Sequence, residues 1–167
     1  MVEVRLSAVR VDLPSSTPVV LLEETEGAHR SLPIFVGAPE ATAIAYALQG
    51  VEVSRPMTHD LMSQLLTTLS ARLERVVVTK LVESTYHAEL QLRAGNTLHA
   101  VSCRPSDGIA LALRVHAPLY VADDLMDSEG LLIEPDEDDV SEQANPEEIV
   151  GEFREFLDTL RPEDFTG

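Results

Sequence analysis

A chain of 167 residues with 44% hydrophobic side chains can bury one core and has little room for a second. Its formal charge of −17 at pH 7, with no lysine- or arginine-rich run, excludes holding nucleic acid by broad phosphate neutralisation, because each such contact needs a cation. The single cysteine, Cys103, excludes an internal disulfide and a cysteine-based zinc site, and reads as a core thiol.

The N-terminal segment 2–12 sets Val2, Val4, Leu6 and Ala8 against Glu3, Arg5 and Ser7, the alternation of a half-buried strand. Runs 18–24 (PVVLLEE) and 31–36 (SLPIFV) predict two more strands. Residues 38–49 (APEATAIAYALQ) are helix formers that stop before Gly50, and 58–71 repeats apolar residues at 61, 62, 65, 66 and 69, so both segments predict helices. On the second, the apolar stripe centres on Leu61, Leu65 and Leu69, which places His59 at its edge and Asp60 on the polar side.

Segment 75–82 (RVVVTKLV) predicts a strand. A hairpin follows over 85–93, with Tyr86, Ala88, Leu90 and Leu92 on one face, and 97–103, joined at Ala94-Gly95-Asn96. Residues 105–116 are apolar around most of the circumference and predict a buried helix, and PLYVA (118–122) supplies a last short strand before DDLMDSE. Strands cluster first and helices intervene, so the fold class is α+β, a mixed sheet covered by helices, with a strand order that is not readable. No repeat of supersecondary units, glycine-rich phosphate loop or nucleophile elbow is present.

Charge is unevenly spread. Residues 1–122 carry 12 acidic and 10 basic side chains, whereas 123–167 carry 17 acidic and 2 basic. The expected organisation is a body over 1–130, an acidic linker over 131–146 with the composition of a mobile, solvated segment, and an amphipathic helix within 147–167. Ile149, Phe153, Phe156, Leu157 and Leu160 fall at helical spacing, suited to packing on this body or a second subunit, or to a protein partner. No stretch approaches membrane-spanning length, so the expectation is a cytoplasmic protein without a membrane partner.

One device appears twice. Arg55-Pro56-Met57-Thr58-His59-Asp60 and Arg104-Pro105-Ser106-Asp107 each put Arg-Pro before a helix with aspartate in its first turn. Capping explains Pro, Thr58, Ser106 and the aspartates, since a hydroxyl accepts a free N–H and a carboxylate complements the dipole. It leaves the arginines unexplained, because a cation is disfavoured at a helix N-terminus unless an anion is near. That anion is either the neighbouring aspartate, which spacing favours, or a bound phosphate sharing the helix N-terminus.

His59 reads as a satisfied boundary residue or as a base at a pocket rim. Asp107 heads the buried helix where core meets surface, a place suited to a metal ligand or general base, and Glu40 in the first turn of the first helix is a weaker candidate. Glu89, His29, His87, His99 and His116 remain unassigned.

At these residues the sequence resembles the bifunctional nuclease family, across LPIFVGAPEATAIA (32–45), GVEVSRPMTHDL (50–61) and RPSDGIALALR (104–114), ending near PLYVADD. The resemblance covers about the first 130 residues. It implies a mixed α/β domain that self-associates, commonly as a dimer, and hydrolyses DNA and RNA. It carries over Glu40, Arg55, Thr58, His59, Asp60, Arg104, Ser106 and Asp107. The family pattern usually has alanine at Gly108, a difference expected to cost only helix propensity. The acidic extension does not match the helical module that follows the domain in related proteins.

The scheme these residues suit is Mg²⁺ or Mn²⁺ on Asp107, Asp60 and Glu40, His59 as a base for water, and Arg55 and Arg104, with Thr58 and Ser106, on the phosphate. The alternative is a noncatalytic oligomeric scaffold or regulatory binding module whose acidic tail recruits a protein partner.

Overall fold

A computed structural model describes residues 1–12 and 14–132. Of the expected linker over 131–146, residues 133–146, together with the whole of the expected C-terminal helix, lie outside the described residues. In chain order the elements are β1 (Val2–Asp12), β2 (Thr17–Glu24), β3 (Arg30–Phe35), α1 (Ala38–Leu48), α2 (Thr58–Thr68), β4 (Ala71–Val82), β5 (Thr85–Ala94), β6 (Thr97–Cys103), α3 (Pro105–Val115), β7 (Leu119–Val121), α4 (Asp123–Glu129) and β8 (Leu131–Leu132). The strands form one mixed sheet in the order β6-β5-β4-β7-β1-β2-β3-β8, in which β4 and β7 are parallel and every other neighbouring pair is antiparallel.

Hairpin chemistry explains the antiparallel pairs. Glu83 and Ser84 both take positive φ between β4 and β5, and Gly95 does so between β5 and β6, the left-handed conformations that short turns need. Tyr86, Ala88, Leu90 and Leu92 share the inner face as expected, opposite Leu81, Val78, Val76 and Leu73. Irregularities between Leu73 and Arg75 and between Val78 and Lys80 keep those β4 residues facing inward although their numbers change parity.

Three expectations are corrected. Ala8 does not continue the inner row of Val2, Val4 and Leu6: a bulge between Leu6 and Ala8 puts Ala8 opposite Leu21, on the outer face, and turns Val9 inward opposite Val20. β4 starts at Ala71, within the segment assigned to the second helix, which ends with Leu69 as its C-cap before Ser70 turns to φ 54°. The largest difference is the rotation of α2. Leu61, Leu65 and Leu69 are 50%, 50% and 71% exposed, whereas His59 is buried and Met62 and Leu66 pack on the core. The segment carries two overlapping apolar stripes, and contact with α3 and β4 selects the narrower one.

The core lies between the sheet and α1 and α3. Val20, Leu22, Leu32, Ile44, Ile109 and Leu111 are fully enclosed there. α3 is apolar almost all round because it is covered on nearly every side. Gly108 is a packing requirement of that approach: a Cβ there would lie 2.7 Å from Val76 Cγ1. At the far edge, Arg30 clamps the buried Glu24 through Nη2 at 2.6 Å and reaches Asp127 of α4 at 2.8 Å. No helix among the described residues is long and apolar enough to cross a membrane.

Candidate functional site

The first turns of α1, α2 and α3 meet because α3 packs against both other helices. They bring Glu40, His59, Arg104 and Asp107 into one chain of polar contacts. His59 Nε2 lies 3.2 Å from Asp107 Oδ1. Arg104 donates to Asp107 twice, from Nε to Oδ2 at 2.8 Å and from Nη2 to Oδ1 at 3.1 Å, and its Nη1 lies 2.7 Å from Glu40 Oε1. Arg104 pairs with its own aspartate, as spacing favoured, and His59, read from sequence as a boundary residue or a base at a pocket rim, is buried beside a carboxylate.

Burial pushes the Asp107 carboxyl up, but hydrogen bonds from Arg104 and His59 outweigh it and hold the group below the usual aspartate range. Asp107 is therefore ionised at neutral pH and orients the imidazole through Nε2. Asp107, ahead of Glu40, holds the Arg104 guanidinium above its ordinary value. Cys103, whose thiol is pushed up to about 11 by burial and then by Asp107 and Glu89, is no thiolate nucleophile.

Asp60 belongs to a different contact set. Its Oδ1 accepts from Arg114 Nε, while Oδ2 accepts the Met57 N–H at 2.9 Å. The Arg114 hydrogen bond is the main cause of its lowered pKa, opposed by burial. Arg114 Nη1 also donates to the carbonyls of Ala43 at 3.0 Å and Ala110 at 2.8 Å. One guanidinium thus ties α1, α2 and α3 together, and the reading of Asp60 on a polar outer side is corrected.

Sequence reasoning missed Arg114. The available signal was a lone cation at the end of a helix otherwise too apolar to be exposed, since a charge carried into a core must find an anion.

Thr58 and Ser106 do not cap. Met57 and Arg104 occupy the N-cap positions without side-chain capping bonds; Thr58 is exposed in the first turn and Ser106 is buried in it. Arg55 is exposed and forms no ion pair among the described residues. Among those residues, no three His, Cys, Asp or Glu side chains are grouped to hold a metal ion. Arg104 stands between Glu40 and Asp107, and Asp60 is turned to Arg114, so guanidinium groups hold the positions that a cation would need. The three carboxylates as arranged do not fit a resident divalent ion.

The family model of the bifunctional nuclease domain matches residues 20–134, a span that holds all these side chains. An uncharacterized protein of Mycobacterium tuberculosis is 44% identical over 165 residues, covering 99% of this chain and 98% of its own length. Bifunctional nuclease 1 of Arabidopsis thaliana is 30% identical over 119 residues, covering 70% of this chain and 37% of the plant protein. Bifunctional nuclease 2 of Oryza sativa subsp. japonica is 27% identical over 125 residues, covering 72% and 38%. The chain therefore spans under two fifths of each of these plant nucleases.

Proposed function

From the premise that the chain belongs to the bifunctional nuclease domain family, we propose that it hydrolyses phosphodiester bonds of DNA and RNA where the three helix starts meet. The observation that carries this reading is the buried His59 held through Nε2 by Asp107, which leaves Nδ1 to take a proton from water. Arg104 spends part of its donor set on Asp107 and Glu40, and its remaining N–H groups and the exposed Arg55 supply phosphate contacts. The hydroxyl of Thr58 is open to the same ligand, whereas Ser106 is buried. Such contacts ignore the 2′-hydroxyl, so both nucleic acids are substrates. Few cations are involved, which reconciles the activity with a strongly acidic chain.

A divalent ion such as Mg²⁺ or Mn²⁺ would take the place of Arg104, so Arg104→Ala should lower the metal concentration needed for any metal-stimulated cleavage. The dimer implied by the family resemblance is checked by light scattering against the 18.3 kDa chain mass.

The testing pair is His59→Ala and Asp107→Asn in rigorously purified protein. Each should lower cleavage of single-stranded substrate by about a hundredfold or more, the scale of lost general-base catalysis. Full activity in both variants overturns the assignment. The Glu40–Arg104–Asp107 network supports a second reading, a noncatalytic binding module stabilised by an ion-paired helix start. That reading requires the unaltered protein to lack cleavage and both variants to lose only stability.

A further inference from the structure

Met57, Leu61, Leu65 and Leu69 form a ladder at four-residue spacing along the outer face of α2, each more than one third exposed. It stays open to solvent among the described residues. The ladder spans twelve residue steps, about 18 Å of helix. We infer that it is the docking face for this chain's own C-terminal segment 149–160, whose Ile149, Phe153, Phe156, Leu157 and Leu160 make an apolar face of the same length.

Reach permits it. The described chain ends at Leu132 on β8, five strand steps from β4, beneath α2. Those steps amount to about 24 Å, and residues 133–146 extended cover about 45 Å. Tethering favours it over a second copy, because a tether of this length holds the segment at an effective concentration on the order of millimolar. Charge points the same way: Arg55, exposed without an ion-pair partner among the described residues, lies two positions before Met57 at the head of the ladder. The segment 134–148 brings carboxylates to it, and the acidic side chains among 147–158 stay on the solvent side of the docked helix. The similarity to the mycobacterial protein runs over 165 residues, 99% of this chain, so it extends beyond the body into the tail.

The test uses the full chain with Leu65→benzoylphenylalanine, photolysed in an equal mixture of unlabelled and ¹⁵N-labelled protein, with cross-linked peptides identified by mass. The expected product joins residue 65 to a peptide within 149–160 of the same isotopic label. Adding Phe153→Asp and Phe156→Asp should cut that product about tenfold or more, the scale of two lost aromatic anchors. Mixed-label products overturn the inference in favour of a second copy on the ladder. Absence of any link to 149–160 also overturns it, as does a link to that segment found only when the probe replaces Phe35, an exposed residue near the sheet edge where the tail begins.

Discussion

The two Arg-Pro helix starts are nearly the same in sequence and opposite in use. Before α3, Pro105 is the first helical residue and Arg104 sits three positions from Asp107, the spacing at which the two side chains meet on one helix face. Before α2, Met57 and Thr58 intervene, Pro56 falls outside the helix, and Arg55 is five positions from Asp60. Asp60 then turns to Arg114 of the neighbouring helix, leaving Arg55 without an ion-pair partner among the described residues. Two extra residues thus convert a closed ion pair into an open cation plus a cross-helix tie. One start is locked by its own sequence; the other is locked by a residue more than fifty positions away.

That contrast breaks most sharply at Arg114. Arg114→Met should destabilise the fold by about 3 kcal/mol in urea unfolding, because it strips two carbonyls and a partly buried carboxylate of their partner. A loss no larger than that of a surface substitution would mean that α2 is not held by this tie.

Next in size, Gly108→Ala should cost about 1 kcal/mol, as the 2.7 Å contact with Val76 outweighs the gain in helix propensity. A stabilised variant would show that α3 can back away from β4.

Acid titration probes both starts together. Asp60 and Asp107 have lowered folded pKa values, so their contribution to stability is present above the ordinary aspartate value of about 3.9 and is lost as pH falls through the lowered values. The melting temperature should drop in that window, and less so in Arg114→Met, where Asp60 no longer has its main partner.

The smallest stability effects belong to the arginines of the motif itself. Arg104→Ala should cost under about 1 kcal/mol, its side chain being largely exposed, and Arg55→Ala within about 0.5 kcal/mol. If Arg55 touches phosphate, its loss should still lower the salt dependence of single-strand binding, by about 0.7 in the log–log slope. An unchanged slope would return Arg55 to the protein surface.

Periodicity and turn chemistry are properties of neighbouring residues, so they were legible. The β5 alternation from Tyr86 to Leu92, the helix stop before Gly50 and the buried character of 105–115 follow from spacing alone. The α4 segment and the early start of β4 were not, because DDLMDSE is too short to show a period and ARLE is too polar to read as strand. Family membership was also readable, since it rests on linear motifs.

What only the tertiary structure decided is which way things face. The α2 sequence offers two apolar stripes, and the residue count of β1 hides a bulge that exchanges Ala8 for Val9. The site followed the same rule. His59, Asp107, Arg104 and Glu40 were nameable one by one, but their convergence, and the diversion of Asp60 to Arg114, depend on how α3 lies against α1 and α2. A side chain's type and local spacing are written in the sequence, whereas the partner that satisfies a buried charge comes from whichever element packing brings within about 3 Å.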